Sequence, residues 1–442
     1  MSFIADKQTL DDLNLTGKYK PDSIYNLFNH VRTPGGERLL DVFFQHPLTD
    51  AEAINQRSGL FRYFQRKELA FSLKVETVQV MEGYLSAGGG NWWKTVAVTA
   101  RRRLLGVIVR DEEYDGIKAG LGATVEVLKE VYRLVEGLEE DGPFGERICE
   151  LRTIFHDKRL SWVRTVEAMG LSWIRVAGYD HVLRTVLRKE METLMEIIYE
   201  LDVYIAVARV AEEKGFCYAL APAVETGGVR IHGLRHPRLD KGVRNDVVLS
   251  EARNMLFLTG ANMAGKSTLM KSFGIAVYLA HMGFPVAATS MEFSVMDGLY
   301  SSINVPDDLS LGHSHFYAEV LRVKRVAQEV SSGRNFVVIF DELFKGTNVK
   351  DAYDATLAVT VELAEYVNCF FVVSTHIIEV GEALGERAGN VQFAYLPTVM
   401  EGVAPKYTYV LKEGITADRH GMMIIENEGV LDIILGGKAA EV

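Results

Sequence analysis

The chain has 442 residues, which is enough for two or three domains that each bury a core of their own. Apolar residues make up 48% and charged residues 24%, as in an ordinary soluble globular protein. The formal net charge of -11 argues against general nucleic-acid binding through a positive field over the whole molecule, although a local basic face is compatible with it.

Cysteine usage and the N-terminus bear on location. Cys149, Cys217 and Cys369 are far apart and lack the spacing of a metal or redox site, so we expect buried thiols in a reducing compartment. The first residues show no basic-then-apolar signal, and no run of about 18 apolar residues occurs that could cross a membrane. These features predict a cytoplasmic protein without a membrane segment.

The first half of the chain carries helical patterns. Residues 1–21 are polar and unpatterned, and they predict an N-terminal arm. Helix starts are indicated at Asp22, at Thr33-Pro34 and at Asp50, where a capping residue or a proline precedes apolar residues at helical spacing. The pattern continues with short breaks, so residues 22–214 predict an all-α domain.

One stretch of this half interleaves aromatic and basic residues. Trp92, Trp93 and Lys94 are followed by the run Arg101–Arg103. A nucleic-acid contact would use both residue types, because cations attract phosphates and bases stack on rings. The alternative is a helix with buried tryptophans and solvated arginines, and the short run in an acidic chain favours this alternative.

After residue 214 the period of the apolar residues changes, so residues 215–442 predict a second domain with an α/β sheet and crossover helices. Strands are predicted at residues 228–232, 247–250, 254–259, 297–304, 336–340 and 369–375, and helices at 266–280 and 314–331. Near the end, residues 391–395 and 406–411 flank Met400-Glu401-Gly402 and predict a hairpin.

The segment from Gly260 to Thr268 has the full G-x-x-x-x-G-K-[ST] pattern between a strand and a helix. Glycines let successive backbone N–H groups point at phosphate oxygens, and the helix N-terminus adds partial positive charge. Lys266 is expected to reach the β- and γ-phosphates of a nucleoside triphosphate, and the Ser267 hydroxyl to bind Mg²⁺. The alternative is a glycine-rich turn without a ligand. The predicted nucleotide-binding residues are Gly260, Asn262, Met263, Gly265, Lys266, Ser267 and Thr268.

Two further apolar runs end in polar residues of catalytic type. Residues 336–340 suit a strand buried on both faces, and Asp341 and Glu342 follow it. With a phosphate loop upstream, Asp341 is expected to hold Mg²⁺ through its water shell, and Glu342 to deprotonate the water that attacks the γ-phosphate. His376 follows the next such run and is expected to hydrogen-bond the γ-phosphate or that water. The alternatives are a solubilising acid pair and a structural histidine.

These elements together are typical of an ATPase of the ABC type, and their details resemble the MutS family of DNA mismatch repair ATPases. The turn residues Asn262 and Met263 are similar to that family's phosphate loop. The resemblance extends to its Walker B segment at residues 341–351, its signature segment at 307–319, the start of its core domain at 33–50 and the entry to its ATPase domain at 235–237. It spans most of residues 22–424.

The resemblance implies an α/β ABC-type P-loop ATPase domain preceded by an all-α MutS core-like helical domain. ATP and Mg²⁺ would be used at composite sites in a homodimer. Gly312 and Ser314 of one subunit would complete the site that contains Lys266 and Glu342 of the other. Hydrolysis would drive a conformational change on DNA, in mismatch repair or in another process that depends on DNA structure, or would be read by a protein partner.

Several features differ from the family pattern. His281 stands where a nucleotide-sensing glutamine is expected, and His315 replaces a threonine after the signature serine. The sequence opens on the core domain, and residues 22–214 are few for the family's levers and clamp. We therefore expect a truncated form without the mismatch-recognition and connector domains. Two alternatives remain, an ATP-gated protein-interaction switch that has lost DNA binding and the nucleotide-binding subunit of a transporter, which the absence of Leu-Ser-Gly-Gly disfavours.

Overall fold

The computed structural model describes residues 2–69, 71–87, 112–166, 171–222, 227–261, 263–303, 315–401, 404–416, 429–430 and 433–434. The tryptophan and arginine run at residues 92–103 lies outside these ranges, so its interpretation stays a prediction. The chain divides into two compact units. We call Met1–Leu27, His46–Ser58 and Ala211–Val442 the sheet unit, and Phe28–Gln45 and Gly59–Val210 the helical unit.

Helices dominate the first half of the chain where it is described. Numbered in chain order, they are α1 (Lys7–Asp12), α2 (Ile24–Phe28), α3 (Pro34–Gln45), α4 (Ala51–Lys67), α5 (Val75–Ser86), α6 (Glu112–Glu136), α7 (Gly145–Phe155), α8 (Trp173–His181) and α9 (Arg188–Lys214). A 3-10 helix lies at Lys158–Arg164 and a π-helical turn at Val182–Val186. Pro34 occupies the first position of α3, where its fixed φ suits a helix. The Asp50 carboxylate accepts a hydrogen bond of 2.8 Å from the Ala53 N–H at the start of α4.

Aromatic rings and the buried carboxylate of Asp202 lie in the core of the helical unit. The ring centroids are 5.3 to 5.9 Å apart, and the rings belong to Phe61, Phe64, Phe144 and Tyr204. Asp202 on α9 is 1% exposed, and its Oδ2 accepts hydrogen bonds of 2.7 Å from both the N–H and the hydroxyl of Thr33. This carboxylate ties the loop before α3 to α9, which places the predicted helix start in the core.

The N-terminal residues are packed, although their composition predicted an arm. Ile4 forms a parallel bridge to Gly298, and a Cβ on Gly298 would lie 2.4 Å from the Ile4 carbonyl oxygen. Leu13 is 1% exposed, and the polar residues Thr9 and Asp12 are 0% and 3% exposed. Burial of Thr9 and Asp12 depends on hydrogen bonds to distant residues, and a sequence pattern does not show such partners. The described part of this segment is therefore a packed part of the sheet unit.

The second half of the chain contains most of the strands. Their bounds are β1 (Cys217–Tyr218), β2 (Gly228–Leu234), β3 (Asn245–Ser250), β4 (Met255–Thr259), β5 (Pro285–Val286), β6 (Ser290–Phe293), β7 (Gly298–Ser302), β8 (Phe336–Asp341), β9 (Phe370–Ser374), β10 (Val391–Tyr395), β11 (Thr398–Glu401), β12 (Ala404–Tyr407) and β13 (Lys412–Glu413). In the described residues the main sheet has the order β13-β10-β4-β9-β8-β7. Neighbouring strands from β10 to β7 pair in parallel, and β13 is antiparallel at one edge. A smaller antiparallel sheet has the order β3-β2-β6.

Helices cover both faces of the main sheet. They are α10 (Lys266–His281), α11 (His315–Val330), α12 (Val349–Ala364) and α13 (Ile378–Arg387). In β8, Phe336, Val338 and Phe340 belong to a core cluster with residues of α11, α12 and α13. Ile339 points to the other face, where its Cδ1 lies 2.8 Å from the position of a Cβ on Gly274 of α10. The apolar runs of these strands are therefore buried on both faces, as predicted for an α/β sheet with crossover helices.

The hairpin predicted between residues 391–395 and 406–411 is wrong in its first strand. β10 pairs in parallel with β4, from Val391 with Met255 to Tyr395 with Thr259. The hairpin is formed by β11 and β12, with Thr398 paired to Tyr407. An apolar run suits a hairpin strand and a central strand equally, and only long-range pairing decides between them. None of the described helices is both long enough and apolar enough to cross a membrane.

Candidate functional site

The three predicted motifs follow the carboxyl ends of three adjacent strands, β4, β9 and β8. Ser374 at the end of β9 pairs with Leu258 of β4 on one side and with Asp341 of β8 on the other. The glycine-rich loop begins after β4, His376 follows β9, and Glu342 follows β8. The order of the strands thus brings segments that are distant in sequence to one edge of a parallel sheet, where α/β proteins bind ligands.

The loop between β4 and α10 depends on two glycines with positive φ. Gly260 has φ 138° and Gly265 has φ 100°, a region that L side chains rarely adopt. A Cβ on Gly265 would also lie 2.9 Å from the Tyr409 ring. Gly265 immediately precedes α10, so the loop ends at a helix N-terminus, whose first backbone N–H groups have no partner within the helix. Such a loop is suited to an anion.

Lys266 is buried at the first position of α10, with 2% of its surface exposed. Its Nζ donates hydrogen bonds to the carbonyl oxygens of Gly260 at 2.7 Å and Ala261 at 3.3 Å, across the loop. Burial lowers the pKa of Lys266, and the negative charges of Glu342 and Asp341 oppose that shift. The ammonium group and the two carboxylates are therefore close enough to interact.

The side chain of Ser374 holds Asp341 and Glu342 in place. Its hydroxyl donates a short hydrogen bond to the Asp341 carboxylate. The Glu342 N–H donates to the carbonyl oxygen of Ser374 at 3.1 Å and approaches its hydroxyl oxygen at 3.3 Å. Sequence analysis missed Ser374. The sequence did contain a signal for this residue, because Ser374 is a polar residue at the end of an apolar run, two positions before His376.

Glu342 has an unusual backbone and a close histidine. Its φ is 56°, and Phe344 nearby has φ 60°, values that cost free energy in non-glycine residues and occur often at functional sites. Nδ1 of His376 lies 3.5 Å from Oε1 of Glu342. This contact with His376 lowers the pKa of the Glu342 carboxyl, against the opposing effect of partial burial. The carboxylate is thus ionised at neutral pH and able to accept a proton.

The loop after Glu342 is anchored to α11. Glu319 of α11 is 5% exposed, and its Oε2 accepts a hydrogen bond of 3.4 Å from the Gly346 N–H. The rings of Phe316 and Phe344 meet edge to face with centroids 6.0 Å apart. The first turns of α11 therefore pack directly on the loop that carries the candidate base.

A cavity of about 490 Å³ adjoins the glycine-rich loop at Gly265 and Thr268. The partly exposed ring of Tyr409 lines this cavity, and its backbone has φ 56°. Asn245 fixes that backbone, because its Nδ2 donates to the Tyr409 carbonyl oxygen at 3.0 Å and its Oδ1 accepts from the Leu411 N–H at 2.7 Å. Sequence analysis missed this cavity, because its walls come from segments far apart in the chain.

His281 lies at the opposite end of α10 from the glycine-rich loop. It is completely buried at the C-terminal end of α10, whereas the loop is at the N-terminal end. Its Nδ1 is 2.8 Å from the Val277 carbonyl oxygen, and its Nε2 accepts a hydrogen bond of 2.9 Å from the Met296 N–H. Burial lowers its pKa to about 4. The histidine is therefore a neutral core residue, and the comparison of its position with that of a nucleotide-sensing glutamine stays a prediction.

Two of the predicted site residues, Asn262 and Ser314, lie outside the described residues, as does Gly312. Ser267 is half-buried and Thr268 exposed at the start of α10, and Met263 is exposed in the loop. Within the described ranges, no group of three or more His, Cys, Asp or Glu side chains could hold a metal ion by itself.

Comparison with protein-family models gives two matches. Residues 256–440 match the model of MutS domain V, and residues 8–85 match the model of MutS domain III. The first match contains the glycine-rich loop, both carboxylates and His376. The second contains all but the first residue of α1, the whole of α2 to α4, and all but the last residue of α5.

Proposed function

Because this chain belongs to the MutS family, we propose that it is an ATPase whose sites are completed by a second copy of the chain. MutS domain V is the ATPase domain of that family. The observation that carries the proposal is the meeting of Lys266, Asp341, Glu342 and His376 at one edge of a parallel sheet. This constellation fits phosphoryl transfer, in which the protein chiefly positions groups and neutralises charge.

The chain offers separate groups for the phosphates and for Mg²⁺. The loop from Gly260 to Gly265 would receive the phosphates, and Lys266 would exchange its loop carbonyls for β- and γ-phosphate oxygens. Ser267 and Asp341 would hold Mg²⁺, which would neutralise phosphate charge when bound together with ATP. The hydrogen bond from Ser374 would keep the Asp341 carboxylate turned toward that position.

Glu342 would act as the general base. The contact with His376 lowers the pKa of its carboxyl, and Glu342 follows the carboxyl end of β8 directly, with a φ of 56°. It would orient the attacking water and accept its proton, while His376 would hydrogen-bond the γ-phosphate or the same water. Tyr409 would stack on the base of the nucleotide in the cavity beside Gly265.

Exposed apolar side chains on the site side of the sheet unit support a partner copy. Met263 in the loop is 70% exposed, and Val349 at the start of α12 is 74% exposed. Tyr317 and Leu321, one turn apart on α11, are 46% and 41% exposed. A second copy in a head-to-tail arrangement would cover such residues and would bring its Gly312 and Ser314 to the nucleotide.

The test of the base is Glu342→Gln, which keeps the shape of the side chain but cannot accept a proton at neutral pH. We expect ATP binding to persist and turnover to fall by about 10²- to 10⁴-fold. Glu362→Gln, an exposed change of the same chemistry on α12, is the matched control and should hydrolyse ATP normally. Undiminished turnover by Glu342→Gln would remove the residue from its assigned role.

Matches to MutS domains III and V suggest a role in mismatch repair. The net charge of -11 favours the second candidate, an ATP-gated protein-interaction switch without DNA binding. Titration with mismatched, branched and plain duplex DNA at several salt concentrations separates the two. DNA binding through phosphate contacts weakens steeply as salt rises, so the absence of any salt-dependent binding would decide for the switch.

A further inference from the structure

A groove of about 820 Å³ lies between β3 of the smaller sheet and one end of the main sheet. Its lining includes Leu256 of β4 and Gln392 of β10, which pair with each other and therefore point to the same face of the main sheet. The segment from Val410 to Gly414 also lines it. The groove belongs to the sheet unit, and its described lining contains none of the candidate catalytic residues.

The backbone of β3 is open toward this groove. In the described residues β3 is at one edge of the smaller sheet, with β2 on its other side. On the open side, Ser250 exchanges two backbone hydrogen bonds with Arg253, and the Val248 carbonyl oxygen accepts one of 2.5 Å from Nε2 of Gln392. Backbone groups alternate between the two sides of a strand, so those of Asp246 point to the same side. This edge can therefore accept an added extended strand.

Three exposed cationic side chains line the groove. Arg244 directly precedes β3, Arg253 is bridged to the last residue of β3, and Lys412 is in β13. No carboxylate in the part of the chain that the structure describes forms an ion pair with these three side chains. The charge of Arg244 reaches the neighbouring Arg235, whose pKa is lowered chiefly by burial and further by this second positive charge.

The groove also has two carboxylates, and one of them is already engaged. The Asp246 carboxylate accepts a hydrogen bond of 2.8 Å from the Gly233 N–H and lies 3.0 Å from Nδ1 of His232. These two contacts lower the pKa of Asp246. Glu413 is the second carboxylate of the lining. The groove is therefore positively charged on balance, in a chain whose net charge is -11, and it favours a negatively charged occupant.

The length of β3 and the position of its apolar residues indicate the shape of that occupant. β3 has six residues, which span roughly 20 Å at about 3.3 Å per residue. Val248, in the middle of this span, is 42% exposed, and Val410 in the same groove is 43% exposed. Arg244 and Arg253 flank the span along the chain. An extended segment of about the same length would meet a cation near each end and an apolar surface between them.

We propose that this groove binds an acidic, extended segment of a partner protein, which adds to the open edge of β3 as a further strand. Backbone hydrogen bonds to Asp246 and Val248 would hold the segment extended. Its carboxylates would meet Arg244 and Arg253, and its apolar side chains would cover Val248 and Val410. A nucleic acid fits this edge less well, because its backbone cannot continue a β-ladder. The inference goes beyond ATP hydrolysis and does not depend on it.

The probe for the test is a fluorescein-labelled octapeptide of alternating glutamate and valine, with blocked ends. Its binding to the full chain is measured by fluorescence anisotropy without nucleotide, so the outcome is independent of the proposed ATPase activity. We expect saturable binding that weakens as salt rises, since the cations of the groove are exposed. An octapeptide of alternating lysine and valine should bind at least about tenfold more weakly. Replacing every valine of the glutamate probe by proline removes every second N–H and should weaken binding as strongly.

Variants of the chain locate the binding. Arg244→Glu combined with Arg253→Glu should weaken binding of the glutamate probe by about tenfold or more. Arg66→Glu combined with Arg175→Glu is the matched control, because it changes the net charge equally at exposed positions of the helical unit and should bind as the wild type does. Val248→Pro removes an N–H on the open side of β3, where proline is tolerated at a sheet edge, and should also weaken binding. Melting temperatures are measured for all variants, and the arginine pair decides if Val248→Pro does not fold.

Four outcomes would overturn the proposal. They are the absence of saturable binding to the wild type, equal binding of the glutamate and lysine probes, undiminished binding of the proline version, and an equal effect of the two pairs of arginine changes. A short DNA duplex is the competitor. If it displaces the probe and binds the wild type more tightly than the groove variant, the groove is a nucleic-acid site and the peptide assignment is wrong.

Discussion

At the scale of single residues, burial decides the role of His281. Its two ring nitrogens contact the backbone at Val277 and Met296, and its ring lies against Phe3 and Phe293. Both contacts suit the neutral ring, with Nδ1 donating and Nε2 accepting. Protonation would place a charge in the core and would remove the acceptor for the Met296 N–H. Only a buried, neutral histidine fits these partners.

This burial predicts a pH dependence of stability. The pKa of His281 is about 4 in the folded chain, against an ordinary value of 6.5. The stability that depends on neutral His281 is therefore complete above pH 6.5 and is lost as the pH falls from 6.5 toward 4. The gap between the two pKa values corresponds to roughly 3 kcal/mol of unfolding free energy.

The measurement compares urea unfolding of the wild type and His281→Gln, which does not titrate, at pH 7 and pH 5. At pH 7 the wild type should have the higher free energy of unfolding. We expect this difference between the wild type and His281→Gln to be about 2 kcal/mol smaller at pH 5. If the difference in unfolding free energy between the wild type and His281→Gln is the same at both pH values, the buried neutral state of His281 is contradicted.

At the scale of elements, the loop after β8 ends in a defined helix cap. The side chain of Asn348 accepts a hydrogen bond of 3.0 Å from the Asp351 N–H at the start of α12. Asn348→Ala should lower the free energy of unfolding by about 1 kcal/mol, because an N–H of the first turn loses its partner. Asn348→Ser keeps a capping oxygen and should therefore retain most of the free energy of unfolding that Asn348→Ala loses. Equal stability of the two variants in urea unfolding would show that the cap does not contribute.

Local sequence patterns predicted where helices and strands occur better than they predicted which strands pair with each other. Pro34 and Asp50 mark helix starts that the structure contains, because capping and proline preferences act within a few residues. The pairing of β10 with β4 and the packing of residues 2–13 on β7 depend on partners far along the chain. These were the elements for which the sequence suggested a hairpin strand and an arm.

At the scale of the whole molecule, the proposed composite site predicts that ATPase activity depends on association of two copies. Ser314 and Lys266 of the same site would belong to different copies, so a separated copy would bind ATP without hydrolysing it efficiently. Turnover per subunit should therefore fall when the protein is diluted below the concentration at which dimers dissociate. The dissociation is measured independently by sedimentation on the same samples. A turnover per subunit that stays constant across that range would rule out sharing of the site.

The sequence by itself determined the site residues that short spacing rules can find. Gly260, Gly265 and Lys266 stand at the offsets of the phosphate-loop pattern, and Asp341 and Glu342 stand at the end of an apolar strand, so these residues could be proposed from the sequence. The same local patterns indicated the helical first half and the α/β second half.

Only the tertiary structure decided which further residues support that site. Ser374 holds Asp341 because β9 lies between β4 and β8, and Tyr409 faces Gly265 because Asn245 fixes its backbone. The physical reason is the same in each case. Hydrogen bonds and packing act over a few ångströms in space regardless of separation in sequence, whereas a motif records only neighbours along the chain.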